Sequence, residues 1–128
     1  MKKIEALADA IGKLNGCPVD PESDAYRLRN PLLIPSWALL GKHETDEKGR
    51  RIFTSLLNGY KAGLFDLQMK ISGNSRTKAV KPQSPLSALL ACYSITSLGS
   101  IDYILSFLRR ALQDKDITAD TPVSYFAE

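Results

Sequence analysis

The sequence predicts an all-α protein, a compact helical bundle of about four to five helices with one long central helix. Three observations carry that expectation. Between Asp46 and Ser72, apolar side chains fall at Phe53, Leu56, Leu57, Tyr60, Leu64, Leu67 and Ile71. At about 100° per residue these occupy one stripe of an amphipathic helix. Two other stretches, Lys2 to Asn15 and Ser100 to Gln113, repeat the three-four spacing. No segment alternates apolar and polar residues as a half-buried strand would. The 128 residues are enough for one domain with its own core, so a single helical domain over 1–128 is expected.

The first helix, Lys2 to Asn15, places Ile4, Leu7, Ala8, Ile11 and Leu14 on one face, with Gly16 suited to the position beyond its end. GCPVDPES then reads as turn chemistry, followed by a short helix from Pro21 to Arg29 that turns Ala25, Tyr26 and Leu28 inward. Asn30 to Leu40 is apolar but broken by Pro31 and Pro35, an irregular lid in which Ser36 caps a turn and Trp37, Leu39 and Leu40 pack down. Thr45 or Asp46 caps the long helix, and Glu47 complements its dipole. A helix of about 26 residues would be roughly 39 Å long, the spine of the domain. Gly59 and Gly63 sit at the edge of its stripe, where close approach of a second helix, or else a kink, explains them.

Gly73 to Ser84 is a loop whose basic part is 74–84, and Ser84-Pro85 opens a helix with Leu86, Leu89, Leu90 and Tyr93 inward, ending near Ser97. Gly99 breaks the pattern, and Ser100 caps a last helix with Ile101, Ile104, Leu105, Leu108 and Leu112 as its stripe. The tail, 114–128, is polar until Val123, Tyr125 and Phe126, which either pack back on the core or dock on a neighbour. Tyr60, Tyr93, Tyr103 and Phe107 fall at core spacings and read as packing rather than as a stacking platform.

Composition narrows the function. With 44% hydrophobic and 24% charged residues the chain is ordinary for a globular protein and too apolar for a disordered one. The uncharged run Leu86 to Ile101 is too short and polar to span a bilayer. Glu5 and Asp9 interrupt the apolar start, which therefore does not read as a secretion signal. Cys17 and Cys92 suggest no disulfide framework, Cys92 is expected to be buried, and a reducing cytoplasmic setting fits both thiols. With His43 as its one histidine, the chain offers neither a zinc ligand set nor a nucleophile–base pair. No phosphate loop or Cys-x-x-Cys pair is present. A non-enzymatic protein with no cofactor and no metal is expected.

The charge points elsewhere. The net charge is +3, but between Asp66 and Asp102 there is no acid, while Lys70, Arg76, Lys78 and Lys81 fall in that gap. The positive potential is therefore local. Asp66 reads as the ion-pair partner of Lys70, four residues on, with a buried carboxylate as the alternative. Three basic clusters follow: Arg50 and Arg51 early in the long helix, the loop set Arg76, Lys78 and Lys81, and Arg109 with Arg110 in the last helix, with Lys70 of the acid-free gap as a further candidate contact. On a bundle, two or more of these converging on one face would contact the phosphates of DNA or RNA, independently of base sequence. The first two clusters would then lie about 30 Å apart or more, at the two ends of the long helix. The bland alternative is a solvated surface.

By its whole profile, roughly 130 residues, helical, basic and lacking catalytic residues, the chain resembles the small subunits of CRISPR interference (Cascade-type) complexes, most nearly that of the type I-D systems. The resemblance extends over most of the chain and has no short diagnostic motif. It implies a subunit of an antiviral ribonucleoprotein that lines up in a filament and steadies guide–target duplex and displaced DNA strand through Lys and Arg. In that family the small subunit is similar to the C-terminal part of a large subunit, made separately from an internal start. A chain beginning Met1-Lys2-Lys3-Ile4 directly inside a helix is compatible with such an origin. The alternative function is a helical protein–protein adaptor or regulator, motivated by Pro31 to Leu40 and by Tyr125 and Phe126 as docking surfaces.

Overall fold

In the computed structural model, residues 1–35, 44–74 and 80–127 are described. The expected turn capped by Ser36, with Trp37, Leu39 and Leu40 packing down, lies outside them, as does His43. Among the described residues the fold is all-α, with five α-helices and a short 3₁₀ helix, and no strand. The helices are α1 (Lys3–Leu14), α2 (Asp24–Arg27), α3 (Leu56–Ile71), α4 (Leu86–Ala91) and α5 (Leu98–Ala111), and the 3₁₀ helix is Val123–Phe126.

Packing is organised by α1, which meets α3, α5 and the 3₁₀ helix. Its Ala-rich sequence allows this: Ala6, Ala8 and Ala10 are buried along with Ile4, Leu7 and Ile11, so apolar contact extends well beyond one narrow stripe. The helix starts where the Glu5 carboxylate accepts the Lys2 N–H at 3.0 Å, and Gly16 stands beyond its end with φ +103°. In α2, Ser23 accepts the Tyr26 N–H at 3.1 Å; Ala25 and Leu28 turn inward as expected, but Tyr26 is 36% exposed.

The long helix is shorter than its apolar period predicts. Asp46 and Glu47 do not open it. The Asp46 carboxylate instead accepts the N–H groups of Lys48 and Arg50 at 3.1 and 2.8 Å, and Gly49 takes φ +78° to close the turn. From there the backbone is extended: the N–H of Arg51 donates to Ile34, that of Ile52 to Glu44 and that of Phe53 to Leu28. Arg50 and Arg51 sit in isolated antiparallel bridges, not on a helix. Helix α3 begins only after Ser55, whose hydroxyl accepts the Asn58 N–H at 3.1 Å, and spans 16 residues, or about 24 Å. It is still the longest helix among the described residues.

Within α3 the buried row is Gly59, Gly63, Asp66, Leu67 and Ile71, while Leu57 is 60% exposed. The glycines decide this orientation. They admit not a second helix but the irregular segment Arg29 to Leu32, whose backbone and side chains press directly on them. Asn30, fully buried, holds that segment: its amide donates to the carbonyls of Ile34 and Arg51 and its carbonyl accepts the Ile34 N–H, all within 2.9–3.0 Å.

Helix α4 ends at Ala91 rather than near Ser97, and Ser94 takes φ 62° beyond it. Its first N–H groups donate to the tail, Leu86 to Thr121 and Ser87 to Ala119, so the C-terminal segment satisfies donors a helix start leaves open. Cys92, past the end of α4, is exposed and not buried as expected, whereas Cys17 is buried. Ser97 caps α5 three residues before the expected cap, leaving Gly99 in its first turn. Ile104, Leu105 and Leu108 are buried, but Tyr103 is 41% exposed and is not core packing. The tail packs back on the bundle, with Val123 and Phe126 fully buried. Among the described residues, no helix is long and apolar enough to cross a membrane.

Candidate nucleic-acid interface

Arg50 is bound into its own protein. Its Nη2 lies 2.8 Å from carboxylate oxygens of both Asp24 and Asp46, and its Nε donates to Asp46 at 2.9 Å. The hydrogen bond from Arg50 holds the Asp24 carboxyl below the usual range and, reciprocally, raises the Arg50 guanidinium. Desolvation pushes Asp46 up, but the N–H and side chain of Arg50 outweigh it and hold that carboxyl low. Two acids on one arginine, whose side chain is 19% exposed, leave little field for a phosphate.

Lys70 is withdrawn in the same way. Its ammonium pairs with Asp66 at 2.5 Å, and the two side chains are 12% and 2% exposed. Both earlier readings of Asp66 therefore hold at once: it is buried, and it is paired. The Tyr93 hydroxyl donates to the same carboxylate oxygen at 2.6 Å, and Lys70 lies 4.9 Å from the Tyr93 ring centre. Burial, with the Asp66 charge next, pushes the Tyr93 phenol far above its ordinary value of 10.0.

A raised phenol has a definite consequence for stability. The neutral form is favoured in the fold, so the contribution is intact below about pH 10 and is lost as the unfolded chain ionises above it. Stability should fall there by up to about 1.4 kcal/mol per pH unit on account of Tyr93. Tyr93→Phe should flatten the decline, read as urea midpoints between about pH 9 and 11. Parallel declines in the two proteins would refute it.

Of the remaining expected contacts, Arg109 is half-buried and its Nε donates to the Ile117 carbonyl at 2.8 Å, tying α5 to the tail. Arg110 and Lys81 are exposed and pair with no acid among the described residues. Arg76 and Lys78 lie outside the described residues. The eight basic residues are thus not equivalent: Arg50 and Lys70 are bound to acids, Arg109 ties α5 to the tail, and Arg110 and Lys81 are exposed, Arg110 with its Nε donating to the Ser106 carbonyl within α5 at 3.3 Å.

Arg51 is different again. Its guanidinium lies 4.7 Å from the Phe53 ring centre, and its Nε is buried with no hydrogen-bond partner among the described residues. It borders a surface groove of about 630 Å³ shared with Arg29, Glu44, Thr54 and Asn58. Sequence reading missed Arg29. Its one signal is position, in a basic-apolar-basic run ahead of the turn-forming Asn30-Pro31 pair.

A second, apolar cavity of about 190 Å³ lies between α1 and α3, bordered by Asp9, Lys13, Cys17 and Tyr60. Burial raises the Asp9 carboxyl, the Cys17 thiol and the Tyr60 phenol, so the cavity favours uncharged groups. Among the described residues no cluster of three or more His, Cys, Asp or Glu side chains is arranged to hold a metal ion. No protein family, curated protein or solved structure matches the chain.

Proposed function

We propose that the chain is a non-catalytic, nucleic-acid-binding small subunit of a multi-subunit assembly, of the kind found in CRISPR interference complexes, contacting the backbone of a guide–target duplex or a displaced DNA strand in the cytoplasm. One observation carries the reading. With Lys70 neutralised by Asp66, residues 71–101 hold three cations, Arg76, Lys78 and Lys81, and no acid. A run of that kind, with no acid of its own, attracts a polyanion through counterion release and asks nothing of the base sequence.

Titration with single-stranded DNA at low and moderate salt tests the reading. Binding should weaken steeply with salt and vary little with sequence. The combined changes Arg76→Glu, Lys78→Glu and Lys81→Glu should weaken it more than tenfold at low salt and reduce the logarithmic salt slope by about 2. Binding that is absent, or indifferent to salt, would count against the reading. The alternative, a helical adaptor without nucleic acid, keeps support from Leu57 and Phe65, which are 60% and 55% exposed on α3. Its earlier motivation is weakened, because Leu32, Ile34 and Phe126 are buried. A protein partner that survives nuclease treatment, together with no DNA binding, would favour the adaptor.

A further inference from the structure

We propose that the groove ahead of α3, between Arg29 and Arg51, is a seat for one phosphodiester of a bound strand. The inference rests on the nucleic-acid reading and extends it to residues outside the acid-free run.

Three observations converge on the groove. Arg51 is packed against the core: its guanidinium lies against Phe53, which is buried, and its Nε is covered and unpartnered among the described residues. No acid among the described residues forms a salt bridge with it. A partly buried guanidinium without a counterion is an incomplete arrangement, and an incoming anion completes it. Arg29 is exposed and takes φ 52°, a backbone conformation that non-glycine residues adopt at a cost. In that conformation the Arg29 carbonyl lies against α3, where only a glycine at position 59 leaves room for it. Strain held in place by its surroundings and ending in a cation beside a second cation is an arrangement typical of ligand sites.

The lining also suits the charge of a phosphate. Two arginines face one acid, Glu44, which is exposed and bonds to neither. Thr54 and Asn58 add polar atoms at the start of α3, and the Asn58 amide is fixed by a 3.0 Å bond to the Thr54 hydroxyl. At about 630 Å³ the groove exceeds what a single small anion fills, and it is not closed off from solvent. Planar guanidinium groups are the side chains best matched to phosphate oxygens in pairs.

The test uses the whole chain and a labelled 15-nucleotide single strand. Arg29→Gly removes the cation and at the same time relieves the strained backbone, so its melting temperature should hold or rise. Its affinity should nevertheless fall about tenfold at low salt, and its salt slope by about 0.7. Arg51→Met, which retains an apolar stem over Phe53, should show the same loss. A wild-type protein that binds no strand overturns both this seat and the function it rests on. A wild type that binds with a steep salt slope, beside an Arg29→Gly variant of unchanged affinity and slope, overturns the seat alone.

Discussion

Gly59→Ala is expected to destabilise the protein by about 3 kcal/mol or more. A Cβ at position 59 would stand 1.8 Å from the Arg29 carbonyl oxygen and 2.9 Å from its carbon. Neither atom belongs to a side chain that can rotate away. Helix α3 and the Arg29–Leu32 segment would have to separate, loosening the contacts of the buried Asn30 and Leu32 with them. Against a total stability of about 5–15 kcal/mol, such a loss is large. Two other glycines calibrate it. At Gly63 the nearest atoms are Leu32 methyls at 3.1 and 3.2 Å, which can yield a few tenths of an ångström, so Gly63→Ala should cost less. At Gly99, in the first turn of α5, a Cβ meets nothing within 4 Å. Gly99→Ala should be neutral or stabilising by up to about 1 kcal/mol. Urea unfolding of the three variants gives the order directly. Gly59→Ala within about 1 kcal/mol of wild type would mean that α3 and the segment do not meet as described.

The same residues separate what is legible in the sequence from what is not. The first and last helices follow their three-four period because each buries an apolar face on its neighbours, and period reports burial. The N-terminal half of the expected long helix fails for a local reason. An acid ahead of a periodic run has two uses for its carboxylate, a helix cap or a tight turn, and Asp46 takes the second with Gly49 behind it. Phe53 keeps the period while reaching the core from extended backbone, so spacing alone misplaces the helix start by about ten residues.

Charge counting fails differently. The acid-free window begins one residue after Asp66, whose carboxylate neutralises the first cation inside it. Arg50 is paired with Asp46, four residues back, and also with Asp24, 26 residues away, a partner that no window detects. Arg29 escapes because positive φ at an arginine leaves no mark in composition. Cys92 belongs to an apolar stretch, but at about 100° per residue it lies to the side of the Leu86, Leu89 and Leu90 face, and its thiol is exposed.

Lys70→Met should cost about 3–5 kcal/mol, although charge counting places this residue in the positive potential of the acid-free window. The change keeps most of the aliphatic stem and takes away only the ammonium. Asp66, 2% exposed, would then be a buried carboxylate held by the Tyr93 hydroxyl alone, with its Oδ1 already lacking a partner. Breaking such a pair is far more damaging than replacing it whole. The combined changes Asp66→Leu, Lys70→Met and Tyr93→Phe remove every polar group of the cluster and should recover stability to within about 1–2 kcal/mol of wild type. Chemical unfolding of the single and triple variants measures the asymmetry; equal losses would contradict the buried pairing. Lys70 also discriminates between structural and binding cations. A lysine already committed to Asp66 contributes little to counterion release, so DNA binding by folded Lys70→Met should keep the wild-type salt slope. Lys81→Gln should do the reverse, leaving the unfolding midpoint in place and lowering the slope by about 0.7. If Lys70→Met lowers the slope as Lys81→Gln does, the Asp66 pair opens when the strand arrives, and Lys70 returns to the binding set.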